Sequence, residues 1–365
     1  MGAPEVDMIR RDFIAGLSTA ALHWPPSAIP LHEVAAGRGI MFGSEITWPE
    51  ISSRPDYAQL VARECAIVTP GLEAKWPAVE PAEGVFRFGP LDNIAGFARR
   101  NGLRLHMHNL IWAVGLPRWT TQALADGHGS AMMQAHIEVE AGRYRGGVDS
   151  WDVINELLDP RWPSAPEGIC NTPWRRALGA DFVPQALRET RAADPGARLL
   201  INDDDLEYDA PDRDRKRGLY VRLIEGWMRQ GVPLGGFGLE AHIKPWLPIA
   251  ETQYRRFLRD LAGFGLKIYV TEFDVCDREM PADVLARDTE VAEITKRYLD
   301  MVLDEPAVCT VITWGLYDGA TWMLHDAAGR RADGLAPRPL PYDAWLQPKP
   351  MRAAMAAAFR SARQR

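Results

Sequence analysis

Eight short apolar or alternating runs, separated by segments of helical spacing, constrain this chain more than any other feature of its sequence. The runs cover residues 39–46, 65–70, 103–112, 150–156, 198–203, 236–243, 267–275 and 309–316. Each is long enough for a β-strand. Between them, residues 91–100 place Leu91, Ile94 and Phe97 on one helix face, and residues 291–302 do the same with Val291, Ile294, Tyr298 and Val302. Strands alternating with helices make a parallel sheet covered on both faces. Eight such units favour closure into an α/β (β/α)8 TIM barrel over an open sheet. A chain of 365 residues suits one barrel with enlarged loops, and no linker or low-complexity block divides it. A single domain is expected, with the Ala- and Arg-rich residues 351–365 forming a last helix that covers the barrel.

Charge and composition narrow the partners. With 42 Lys and Arg against 49 Asp and Glu, the net charge is −7, and no basic face for nucleic acid is expected. No window of about 18 apolar residues occurs, which argues against a membrane-spanning helix. The four cysteines, Cys65, Cys170, Cys276 and Cys309, form no CxxC pair and no zinc-like spacing. Cys309 sits in an apolar run and reads as a buried thiol; a disulfide among the others stays open. Thirteen tryptophans offer flat amphipathic rings that seat ligands as readily as they fill a core. Near the start, Arg10-Arg11-Asp12-Phe13 precedes an apolar, small-residue stretch and Pro25-Pro26. That pattern resembles a twin-arginine export signal, with Met8 an alternative initiator. Residues 1–36 are therefore read as signal and leader, and a periplasmic or secreted location is expected.

In such barrels the chemistry sits where strands end. The polar residues at the C-terminal ends of these runs are Glu45, Thr69, His106, His108, Asn155, Glu156, Asn202, Asp203, Glu240, His242, Glu272, Asp274 and, among aromatics, Trp314. An aliphatic run ending in Asn155-Glu156 and another ending in Thr271-Glu272-Phe273-Asp274 place charge where burial is costly. The fourth and seventh strands of an eight-strand barrel lie nearly opposite each other. Carboxylates there can act on a glycosidic bond from both sides, one as acid and one as nucleophile, about 5–5.5 Å apart if configuration is retained. Glu272 and Asp274 share a strand face, as do Glu240 and His242. A chain Asp274–His242–Glu272 would hold the nucleophile ionised. Ordinary strand-end ion pairs are the plainer alternative.

At these residues the chain resembles glycoside hydrolase family 10, the endo-β-1,4-xylanase family. WDVINE (151–156) is similar to its acid/base motif and YVTEFDV (269–275) to its nucleophile motif. EAKW (73–76) with EPAEGVFRF (80–88), HNLIW (108–112) with LPRW (116–119), INDD (201–204), GLEAHI (238–243) and ITWGLYD (312–318) follow the family's order. The resemblance implies a retaining hydrolase of β-linked oligo- or polysaccharides, endo-1,4-β-xylanase-like, over residues 37–365, without cofactor or metal and acting as a monomer. It implies Glu156 as acid/base and Glu272 as nucleophile, with Asn155 on the sugar hydroxyl beside the reacting carbon. His242 would contact the nucleophile with Asp274 behind it. Lys75, His108 and Trp112 would line the sugar site, Glu240 would adjoin it, and Trp314 and Trp322 would floor it.

Three departures concern recognition. Gly71 and Leu72 stand where the family usually carries Glu-Asn, a pair that grips the sugar one unit further from the cleavage point. Ala113 replaces a second histidine, and Glu240 replaces a glutamine. Linear β-1,4-xylan is therefore expected to be a poor substrate beside some other β-glycoside. Glu240, as a second charge, is expected to raise the nucleophile's pKa. Two rivals stand beside this reading. One is a non-catalytic carbohydrate-binding barrel. The other is a metal-dependent hydrolase with His106, His108, His242 and Asp318 as ligands.

Overall fold

The computed structural model describes residues 29–159 and 168–365. The twin-arginine motif and Met8 lie outside the described residues. Eight parallel strands follow one another: β1 (Met41–Ile46), β2 (Ile67–Pro70), β3 (Arg104–Trp112), β4 (Ser150–Asn155), β5 (Arg198–Asp203), β6 (Gly236–Leu239), β7 (Lys267–Val275) and β8 (Val308–Thr313). Consecutive strands pair in order, and the ring closes where β8 sets Thr310 beside Met41 of β1. The expected (β/α)8 barrel is what forms. Its strands are rich in Ile, Val and Thr and buried along nearly their whole length, as parallel strands covered on both faces require.

The sequence-derived runs differ from the strands by a few residues at most, except in the sixth. There β6 stops at Leu239, and His242–Ile243 resumes as a two-residue segment paired to β7, with His242 opposite Asp274. Between them Ala241 adopts φ +62°. A period-two reading carries straight through such a residue, because its side chain is compatible with a strand and only its backbone is not.

Helices Gly89–Arg100 and Val284–Val302 enclose the two faces read from spacing, the second beginning earlier than its apolar pattern. The last helix, Pro350–Ser361, packs on the outside of the barrel against helix Val284–Val302, with Phe359 on Phe42 of β1 at 5.7 Å between ring centroids. The helix Leu31–Ala36 buries Leu31 and Ala35 in the same core, so part of the stretch read as leader belongs to the packed body. All four cysteines are free, so no disulfide forms, and Cys309 is only partly buried because alternate residues of β8 face the outer layer. Among the described residues, no helix is long and apolar enough to cross a membrane.

One buried ion pair ties both ends of the described chain to the barrel. Glu64 is fully buried and accepts from the Leu31 N–H at 3.0 Å and from Arg352 Nη2 at 2.9 Å. Removing one partner of a buried pair leaves the other charge uncompensated, at about 3 kcal/mol or more. Glu64→Ala should therefore lower the urea midpoint without changing the slope of the transition. An unchanged midpoint would show that the pair contributes nothing net.

Candidate active site

Polar side chains fill the upper half of the barrel interior, and strands that are not neighbours meet there. Asn202 on β5 is the hub. Its Oδ1 accepts from Thr271 Oγ1 at 2.6 Å, and its Nδ2 faces Asn155 Oδ1 at 2.8 Å and Glu272 Oε1 at 2.9 Å. β5 and β7 are separated by β6, so Asn202 reaches Glu272 only through the lumen. Gly238 makes this possible: it pairs with Asn202, and a Cβ there would lie 2.2 Å from Asn202 Oδ1.

Glu272 is buried near the mouth. His242 Nε2 lies 3.4 Å from its Oε2, while His242 Nδ1 lies 3.0 Å from Asp274 Oδ2, which also accepts from Trp322 Nε1 at 2.7 Å. The contacts Asp274–His242–Glu272 are thus present, with the indole of Trp322 as an additional support. Across the lumen His108 Nδ1 stands 3.7 Å from Glu272 Oε1. Burial pushes the Glu272 carboxyl up, but the His108 ring, the His242 contact and Lys75 together hold it below the ordinary carboxylate value. Burial also works against charge on His242. Asp274 and Glu272 outweigh it and push the imidazole up to about 10, so it carries protons on both nitrogens.

Glu156 follows β4 directly. It is half-buried, holds φ +50° and donates its N–H to Asn202 O at 2.9 Å. A left-handed glutamate costs about 1 kcal/mol or more and persists where its surroundings demand it. Glu240 and Ala241 make the corresponding turn after β6: Glu240 N–H donates to Asp203 O, and Glu240 O accepts from the Glu272 N–H. The Glu240 carboxyl, 3.4 Å from Asn202 Nδ2, is pushed well above the usual range by burial first, then by Glu272 and Glu156. The expectation that Glu240 adds a charge beside the nucleophile is therefore corrected. Of two adjacent buried carboxyls only one ionises cheaply, and Glu240 keeps the proton.

The remaining predicted residues form the rim. Lys75 Nζ lies over the rings of Trp112 and Trp314, 5.1 and 5.9 Å from their centroids. Trp112 lies against Gly115, where a Cβ would come within 2.3 Å of the ring, and its buried indole N–H has no hydrogen-bond partner among the described residues. Trp314 stands edge-on over His108 and His242, and Trp322 packs on His242 at 5.1 Å. His108 is buried, with Nδ1 on Asp152 Oδ2 at 2.9 Å and Nε2 against Asn109. Asp152 also receives His106 Nε2 at 3.0 Å and is drawn down to about 2: the two histidines outweigh burial. Sequence reading passed over Asp152, although an acid inside the buried run WDVINE signals a partner.

The metal-site rival loses its ligands in this arrangement. His106 is engaged by Ser150 and Asp152, His108 by Asp152, and Asp318 by Lys349 at 2.9 Å. A different trio, Glu240, His242 and Glu272, brings one atom each within 4.8 Å. There His242 Nδ1 is taken up by Asp274, and its Nε2 faces Glu272 itself.

A closed parallel barrel with glutamates at the ends of its fourth and seventh strands defines a barrel glycosidase. The model of glycosyl hydrolase family 10 matches residues 30–358, and the chain belongs to that family. It is a retaining, xylanase-like glycoside hydrolase. Endo-1,4-beta-xylanase 1 of Humicola insolens is 30% identical over 322 residues, 86% of this chain and 72% of that protein. Endo-1,4-beta-xylanase B of Thermotoga neapolitana is 31% identical over 277 residues, 74% of this chain and 76% of that one. The crystal structure of native xylanase 10B from Thermotoga maritima superposes with a TM-score of 0.80 at 27% identity, covering 91% of this chain and 98% of that one.

The protonation of Glu240 has a kinetic consequence. Glu240, held protonated by burial and by its neighbours' charges, carries no charge whose removal would shift the acidic limb of kcat/KM against pH. Glu240→Gln should leave that limb in place. A downward move of more than about half a unit would mean that Glu240 is ionised beside the nucleophile.

Proposed function

We propose that Glu272 is the nucleophile and Glu156 the acid/base of a double displacement that cuts β-1,4-linked xylose chains internally. The observation that carries this reading is the setting of Glu272, fixed between the Asn202 amide and the His242 imidazolium and held ionised. In the first step Glu272 attacks the anomeric carbon while Glu156 protonates the departing oxygen. In the second, Glu156 takes a proton from water, which displaces Glu272 and restores the starting configuration. Asn155 stands beside both glutamates through Asn202, a position suited to a hydroxyl next to the reacting carbon. Lys75, Trp112, Trp314 and Trp322 would seat the sugar ring by their charge and flat faces. The xylanase names carried by the relatives support xylose as the repeating unit.

The two roles separate kinetically. Glu272→Ala should lose nearly all turnover on every substrate, because the covalent step needs its carboxylate. Glu156→Ala should be far less impaired on aryl glycosides with good leaving groups, and azide should accelerate its second step. Equal responses of both variants to leaving group and to azide would contradict the assignment.

A further inference from the structure

We propose that Glu45, at the end of β1, is a specificity-determining residue: it supplies the acidic grip that position 71 has lost and binds a hydroxyl of the sugar beside the reacting one. This rests on the reading of the barrel mouth as the sugar site. The geometry that carries it is an exchange of volume between neighbouring strands. A Cβ at position 71 would lie 1.8 Å from Glu45 Oε1, 2.6 Å from Cδ and 2.8 Å from Cγ. The Glu45 carboxyl thus occupies the space in which any side chain at 71 would begin. Gly71 is bonded to the same strand, its N–H donating to Ile46 O at 3.0 Å, so the two cannot drift apart.

The carboxyl is placed to meet a ligand. Glu45 is only 9% exposed, no hydrogen bond to its carboxyl forms among the described residues, and its oxygens are not sealed from solvent, so a ligand can reach them. A largely buried acid without a protein partner gains when a ligand satisfies it. Its surroundings are those of the rim. A Cβ on Gly315, next to Trp314, would be 3.9 Å from Oε2, and the charges of Lys75 and Glu272 both act on it. Burial, then Glu50 and Glu73, push its pKa well up, so the group is a neutral acid able to donate as well as accept. A sugar hydroxyl asks for that pair of functions. Leu72, 58% exposed, leaves the lost amide unreplaced. The grip is halved rather than abolished, and linear xylan returns as a substrate.

The test reads a ratio: kcat/KM on xylohexaose over that on an aryl β-xyloside, which fills the reacting position alone. Glu45→Ala should lower this ratio about tenfold or more, the loss of one hydrogen bond to a buried acid. Gly71→Ala, which removes no functional group but displaces the carboxyl, should lower it in the same direction. The double variant Glu45→Ala/Gly71→Glu should recover a substantial part of the ratio, whereas Gly71→Glu alone should not. If the wild-type chain cleaves xylohexaose and the ratio is unchanged in both single alanine variants, Glu45 is not a sugar ligand. If the wild-type chain cleaves no β-glycoside at all, the catalytic reading fails first and this one with it.

Discussion

An ionised carboxylate inside a β-barrel has to be stabilised against a desolvation cost of several kcal/mol. The site can be traced outward from the way Glu272 meets that cost. Two donors reach it, the Asn202 amide at 2.9 Å and the His242 ring at 3.4 Å. Hydrogen bonds to charged groups contribute about 1.5–3 kcal/mol each, so the pair is of the right order to offset burial. Each donor is itself fixed by a residue whose position depends on the barrel. Asn202 is held by Thr271 and needs the bare backbone of Gly238 opposite it. His242 is charged because Asp274 stands behind it, in register across two strands.

The same cost governs the other carboxyls at the mouth. Glu45 and Glu240 each lie close enough to Glu272 for its charge to act on them, and burial lets few of the three ionise together. The histidine and amide donors cluster at Glu272, and that residue takes the negative charge. Glu240 and Glu45, without comparable donors, stay neutral. One ionised glutamate and two neutral ones in a single cleft give a negative charge and hydrogen-bond donors from one residue type, set apart by environment alone.

The parts of this that were legible in the sequence are those whose signal is local. An acid ending an aliphatic run marks Glu156 and Glu272, and i, i+2 spacing pairs Glu272 with Asp274 and Glu240 with His242. Barrel closure follows from counting alternations. What stayed hidden depends on residues brought together from distant strands. Asn202 reads as one more polar strand end until β4 and β7 converge on it. Glu45 and Gly71 read as an unassigned acid and a missing one, because only their shared volume shows that one has moved into the other's place. The break at Ala241 and the protonation of Glu240 are of the same kind: backbone conformation and competition between charges leave no mark in residue spacing.

The central claim is that Glu272 alone holds the negative charge that attacks the sugar. Trapping tests it most directly. An activated 2-deoxy-2-fluoro β-xylobioside should inactivate the enzyme with one glycosyl unit bound, and peptide mass spectrometry should place that unit on Glu272. A label on Glu156 or Glu240, or turnover with inverted configuration and no label, would contradict the account.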